Sequence, residues 1–347
     1  MRYILVIIIQ LITTFCTITC YYSNQYKIVN NNLIYSNKIE YNDYVNELRE
    51  GRITRIASRV QYDGTDFKGW QEQEKNIRTI QGTLSTVLSK RFNVNSRIVV
   101  IGASRTDFGV HSRGQAIHFD LNENMMKTIE NNNENDVKDN LKHLEYTLNR
   151  MLPDDLKLFN MSIAPLHGTN NQISSNELWH ARKSAIGKLY SYRFCHNTFI
   201  DPTKRRFIAP CRKMNLNLFD ECLQLYTGLH DFKAFADRVD HTTKEYEDKG
   251  KTFNTTRYVN SINLIHENYD NDDGDGYYRI DVHLESAMYK MIRNMVGTAM
   301  TIANGGMDRD QLLLLLNAEN GLTRNDNKAK SAPAEGLCLE HVYYDNF

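Results

Sequence analysis

Gly102-Ala103-Ser104-Arg105-Thr106-Asp107-Phe108-Gly109-Val110-His111 is the stretch from which the rest of the chain can be read. Before it, Arg97 to Ile101 is rich in β-branched residues and reads as a strand. After it, Gln115 to Leu121 alternates around Ile117 and Phe119 and reads as another. Gly102 to Gly109, after the first strand, is then a loop. Its glycines let backbone come close to a ligand. Arg105 and Asp107, two apart, can pair with each other or serve one substrate together. His111, Arg113 and Gln115 follow, all able to hydrogen-bond. From these residues alone two readings stand: a structural Arg–Asp turn, and a polar loop that carries a site.

Working outward, Ile53 to Tyr62 predicts a strand that ends in the turn signal Asp63-Gly64. Thr79 to Phe92 has helical spacing through Ile80, Leu84, Val87 and Leu88, with Thr79 as N-cap. Val137 to Met151 predicts a helix that stops ahead of Pro153. Gly187 to Cys195 is a strand with an aromatic face of Tyr190, Tyr192 and Phe194. Leu218 to Tyr226 and Asp308 to Leu316 are helical; Arg257 to His266 and Tyr277 to Leu284 are strands. Ala287 to Ala303 is an amphipathic helix whose stripe is Met288, Met291, Ile292, Met295, Ala299 and Ile302. Ala334 to Tyr344 closes as a strand. The mixture predicts an α+β fold: two similar subdomains, 52–165 and 166–347, with a largely antiparallel mixed sheet flanked by helices and a central cleft. Polar insertions at about 122–136 and 241–255 are expected on surface loops.

The chain has 347 residues and a formal net charge of zero, an average that argues against a nucleic-acid binder. The distribution argues the other way. Between Arg182 and Lys213 nine Lys/Arg residues accompany a single acid, Asp201, while acids collect at Glu123–Asp139 and Glu267–Asp275. Segregation of this kind lets a neutral protein present a positive face to phosphates, though it is equally a pattern of ordinary solvated surfaces. Cys16, Cys20, Cys195, Cys211, Cys222 and Cys338 form no CxxC pair and no cluster with zinc spacing, so no metal is expected. The last four read as small buried hydrophobes.

Arg2 followed by the apolar run Ile4 to Ile12 predicts a signal peptide over residues 1–20, too short for a convincing membrane span. Tyr21 to Ile39 lacks Asp and Glu, which suits a transit peptide or flexible leader over 21–51. Together they form an address for a non-photosynthetic plastid bounded by additional membranes. A signal anchor, a misplaced gene start, another organelle and the cytoplasm stay open. No membrane segment is expected in the mature chain.

Six ordered blocks carry a family resemblance. Tyr62-Asp63-Gly64-Thr65-Asp66-Phe67-Lys68-Gly69-Trp70-Gln71 resembles the opening block of the TruA family of tRNA pseudouridine synthases, and Thr79-Ile80-Gln81-Gly82 its next helix start. Gly102 to Asp120 is similar to the catalytic block, Ala181 to Tyr192 to the block with the active-site tyrosine, Met291 to Gly297 to the helix with the active-site arginine, and Ala334 to Leu339 to the closing strand. The blocks span about residues 53 to 344. Two departures stand out: Ser104 where the family commonly has Gly, and Phe108 where it commonly has Ala.

The resemblance implies isomerisation of uridine to pseudouridine in the anticodon stem-loop of tRNA, at positions near 38 to 40, by a homodimer that needs no cofactor. It makes Asp107 the essential carboxylate, Tyr190 the ring that stacks on the target base, Arg293 the partner that keeps Asp107 ionised, and Arg105 a contact to RNA. Arg59, Lys68, Arg78, Arg113, Arg182 and Lys188 are the candidates for phosphate contacts. Two rival readings remain at this point: a catalytically inactive tRNA-binding paralogue acting as chaperone or scaffold, and a hydrolase pairing Asp107 with Glu335.

Overall fold

The structure, a computed structural model, describes residues 27–29, 32–34, 46–48, 50–74, 76–129, 137–165, 178–196, 200–248, 250–267 and 276–347. The segment read as a signal peptide lies outside the described residues, as do 130–136 of the first insertion. Within the leader, β1 (Lys27–Val29) and β2 (Asn32–Ile34) form an antiparallel pair. No helix among the described residues is long and apolar enough to cross a membrane.

A ten-stranded sheet carries the body of the chain. Its strands are β3 (Ile53–Tyr62), β4 (Ile101–Gly102), β5 (His111–Asn122), β6 (Leu156–Ile163), β7 (Gly187–Cys195), β8 (Ala209–Pro210), β9 (Gly228–Asp231), β10 (Thr256–His266), β11 (Tyr277–Leu284) and β12 (Leu337–Tyr343). The spatial order is β6-β3-β5-β12-β7-β11-β10-β9, with β4 beside β5 and β8 beside β7. Pairing is antiparallel except between β5 and β12 and between β7 and β8. The chain is therefore α+β with a mixed, mostly antiparallel sheet flanked by helices.

Two apolar cores lie along this sheet. In the first, Ile56 and Val60 of β3 and Ile117 and Phe119 of β5 meet Ile80, Leu84 and Leu88 of α1 (Ile80–Arg91). Leu141, Leu144 and Leu148 of α3 (Val137–Met151) complete it; the short α2 (Glu123–Lys127) precedes α3 in the chain. In the second, Tyr192 and Phe194 of β7 meet Phe219, Cys222 and Leu223 of α4 (Leu216–Gln224) and Met291, Met295, Ala299 and Ile302 of α6 (Met291–Ala303). Each such side chain, once fully buried, contributes on the order of 1.5–3 kcal/mol, so the two cores anchor every element that bears a site residue.

Three local departures from the sequence reading have identifiable causes. The strand expected over Arg97–Ile101 shrinks to β4 because side chains of α1 take its backbone groups: Gln81 Nε2 donates to the Val100 carbonyl at 2.8 Å and Ser89 Oγ accepts from the Ile98 N–H at 3.1 Å. The helix expected from Ala287 starts only at Met291, since Lys290 sits in the left-handed region at φ 58° and cannot extend a right-handed helix upstream. The second insertion lies at the surface as expected but is not all loop: its first half lies in helix α5 (Val239–Glu247), whose Tyr246 ring packs 5.2 Å from that of Phe253. The remaining helix, α7 (Arg309–Leu316), matches its expected span within a residue.

Candidate active site

The parallel β5–β12 pair decides where the site forms. His111 is in register with Cys338 and Ser112 with Leu339. Parallel neighbours are entered from the same end of a sheet, so the loop before β5, which holds Asp107, and the loop before β12 emerge together. A Cβ added at Gly109 would stand 3.2 Å from Cβ of Ala334, which shows how closely the two loops approach. Helix α6 is fastened to the second loop: the Ala332 N–H donates to the Arg293 carbonyl at 2.9 Å, and Arg293 Nε donates to the Ala332 carbonyl at 2.7 Å. Gly297 permits this, because a Cβ there would fall 2.0 Å from the Lys330 carbonyl oxygen.

The Asp107 loop is held from both sides. Its Val110 N–H donates to the Asp107 carbonyl at 3.2 Å, and Gly109 has φ 77°. These are the marks of a type II turn with Phe108 at its corner and a glycine where the left-handed backbone demands one. The opening block braces the loop: the Trp70 N–H donates to the Thr106 carbonyl at 3.0 Å, and Tyr62 Oη lies 2.8 Å from Thr106 Oγ1. The Gly64 N–H donates to His111 Nδ1 at 3.1 Å. Gly64 has no room for a side chain, since a Cβ would meet the Val110 carbonyl oxygen at 2.0 Å.

Into this frame come residues remote in sequence. Arg293 Nη1 lies 3.3 Å from Asp107 Oδ2, and the two side chains are 15% and 10% exposed. Burial pushes the Asp107 carboxyl above its ordinary value; the Arg293 guanidinium, and behind it Lys290, pulls the other way without overcoming burial. Arg293 favours the ionised form, as its expected role requires, but burial outweighs it. The Arg293 guanidinium is engaged with Asp107 and with the Ala332 carbonyl.

Tyr190 comes from β7, next to β12 in the sheet, and reaches the cleft floor. Its hydroxyl lies 2.9 Å from Ser104 Oγ. Burial pushes the phenol up to about 12, so it stays neutral. Ser104 is itself fixed by Gln115, whose amide accepts from the Ser104 N–H at 3.1 Å and donates to the Ser104 carbonyl at 2.7 Å. Both residues stand out in the sequence, but the tether between them follows only from the β4–β5 pairing.

The cations predicted to meet phosphates separate into groups. Lys68, Arg78, Arg105 and Arg182 line the cleft. Arg105 and Arg182 are exposed, and Arg78 is bidentate to Asp155 at 2.7 and 2.9 Å. The Arg182 guanidinium is pushed down to about 10, by the cleft wall around it and then by Arg105. A group in a concavity is surrounded by protein while water still reaches it. Arg113 is exposed but lies off the cleft. Arg59 and Lys188 are corrections. Arg59 is buried under Tyr344 and Phe347 and donates to the Val342 carbonyl at 2.7 Å. Lys188 is buried at the cleft floor, where Nζ donates to the Ala103 carbonyl at 3.1 Å, and burial pushes its ammonium down to about 7.

The whole is a cleft of about 1860 Å3. Pockets for small ligands run to roughly 300–1,000 Å3, so the volume, the basic rim and one buried carboxylate suit a folded polyanion with a single reacting unit.

Comparison with known proteins gives the same direction. Residues 222–345 match the family model described as tRNA pseudouridine synthase. The chain is 31% identical over 294 residues to tRNA pseudouridine synthase A of Lactococcus lactis subsp. cremoris (strain SK11), covering 84% of this chain and 98% of that one. It is 30% identical over 295 residues to the protein of the same name from Maridesulfovibrio salexigens, covering 84% and 91%. With that of Bacillus sp. (strain KSM-64) it shares 29% over 286 residues, covering 82% and 97%.

Proposed function

The chain belongs to the tRNA pseudouridine synthase A family, and on that premise we propose that Asp107 is the carboxylate with which it isomerises uridine to pseudouridine in tRNA. The observation that supports Asp107 is its pairing with Arg293, 3.3 Å away across 186 residues of sequence, in the cleft that Tyr190 also lines. The reaction breaks the C1′–N1 bond, turns the uracil and joins C1′ to C5. The proton at C5 leaves, N1 gains one, and no redox equivalent or hydrolytic water is consumed.

Each residue answers one demand of that sequence. A largely buried carboxylate has few waters around it, so its interaction with a developing charge on ribose or base is strong. Arg293, behind it, favours the ionised form as the substrate displaces water. Tyr190 offers a π-face to the uracil, and its hydroxyl, tied to Ser104, fixes the ring angle. Arg105 and Arg182 at the rim take phosphates. The target uridine leaves its stack at a cost of a few kcal/mol, least in a loop, which an anticodon stem-loop suits; positions near 38 to 40 are what the family resemblance implies. We further propose a homodimer in which one tRNA lies across both subunits.

The test is tritium release from [5-3H]uridine-labelled tRNA. Asp107→Asn abolishes release while tRNA is still retained on a filter. Turnover near that of the wild type in this variant removes Asp107 from the chemistry. Pseudouridine mapping of the product settles the positions, and sedimentation with and without tRNA settles the subunit count.

A further inference from the structure

Phe108 follows Asp107, so its Cα is about 3.8 Å from that of the carboxylate residue. It lines the cleft and is 54% exposed, while the aromatic residues of the bracing block, Phe67 and Trp70, are buried. The corner position of the turn turns its side chain outward, and the backbone beneath is closely packed: a Cβ added at Gly69 would lie 3.2 Å from the Phe108 nitrogen. Lys68 Nζ stands 4.3 Å from the ring centroid. Lys68 is held in turn, its N–H donating to the Arg78 carbonyl at 2.8 Å. The ring is thus an exposed apolar plate on the cleft wall, with a cation against it.

An exposed plate with an adjacent ammonium matches one unit of a nucleic acid strand. The base supplies a π-face to the ring, and the phosphate supplies the charge for Lys68. A uridine extruded toward Asp107 leaves its neighbour without a stacking partner on that side. Phe108 stands one residue away, where that neighbour must be accommodated.

We propose that Phe108 is a base-stacking platform for the nucleotide adjoining the isomerised uridine, with Lys68 taking the phosphate between them. This rests on the reading of the cleft as a tRNA site and adds the residue that receives the neighbouring base. Stacking on an aromatic ring is sequence-tolerant, so the platform supports uridines in more than one context.

The experiment uses the full chain and tRNA transcripts carrying 2-aminopurine on one side of the target uridine and then on the other. Binding is followed by fluorescence in the Asp107→Asn background, and turnover by tritium release in the native one. The platform quenches the probe on one side, and Phe108→Trp preserves the quench. Phe108→Leu and Phe108→Ala lose it and raise KM roughly tenfold, the loss falling mainly in KM, as expected for one lost stack. Lys68→Gln lowers affinity and flattens its salt dependence but keeps the quench. A quench and KM in Phe108→Leu equal to those of the wild type overturn the proposal, because leucine fills the same space without a π-face. A wild-type chain that binds and quenches but releases no tritium would instead sink the assignment of Asp107 and leave the platform standing.

Discussion

Replacing Arg293 by Gln tests the electrostatics of the site most directly. The guanidinium is 3.3 Å from the Asp107 carboxylate and both are largely buried. At an effective dielectric of about 20, two unit charges at that distance attract by about 5 kcal/mol before relaxation and water entry reduce it. Arginine beside an aspartate lowers its pKa by about 1–3 units in practice. Burial already holds Asp107 above the ordinary carboxylate value with Arg293 in place, so removing the cation sends it higher. In the proposed mechanism the active form is the carboxylate, so activity is expected to be lost as pH falls through its pKa. The acid limb of kcat/KM in Arg293→Gln therefore moves up by about 1–3 pH units. Arg293→Lys gives a smaller displacement, because lysine cannot serve the Ala332 carbonyl and Asp107 together. The assay is tritium release from pH 5 to 9, with tRNA binding measured at each pH to separate affinity from chemistry. An acid limb in Arg293→Gln that coincides with that of the wild type refutes the coupling.

Three further outcomes follow from the same structure. Because the folded pKa of Asp107 is raised, its ionisation costs stability as pH rises through that value; Asp107→Asn removes the cost, and its melting temperature at pH 7 lies within about 4 °C of the wild type, measured calorimetrically. Lys188 is held near 7 against an ordinary 10.5, so between about pH 7 and 10 the unfolded chain binds the extra proton and stability rises with pH. Lys188→Met flattens that rise by up to about 1.4 kcal/mol per pH unit, read from urea titrations. Arg182→Gln reduces the salt slope of tRNA binding by about 0.7–0.9, whereas Arg59→Gln leaves the slope intact and lowers stability, since Arg59 is an interior support.

Much of this was legible from the sequence, for physical reasons that differ by element. Period-two alternation in β7 and the 3.6-residue stripe of α6 announce which faces are buried, and Tyr192 and Met295 lie where those periods place them. Asp107, Tyr190 and Arg293 were named as a set through the family blocks. The residues around Asp107 could not have assembled that set, because their meeting depends on β5 and β12 running parallel. The roles given to Arg59 and Lys188 could not be corrected from sequence. A lysine inside a basic run reads as surface, and only the packing of β7 against the Ala103 segment buries it. The second insertion read as loop because its composition is polar, yet α5 forms and lines the cleft, with Glu245 and Tyr246 close to Arg105. The ring of Phe108 turned out to face the open cleft for a reason that sequence supplies only in hindsight: a glycine at 109 with a positive φ fixes the corner before it.

The placement of β12 has a consequence for how the molecule comes into being. Asp107 is made early, but its arginine is contributed by residue 293 and the strand that docks beside its loop ends at Tyr343. A nascent chain emerging from the ribosome can settle the core around β3, β5 and α1 long before either arrives. Until then Asp107 lacks its arginine and the His111–Ser112 end of β5 lacks its strand neighbour, although β4 already pairs further along that edge. On the proposed role of Asp107, competence waits for both Arg293 and β12, so a chain truncated ahead of β12 is expected to be inert in tritium release.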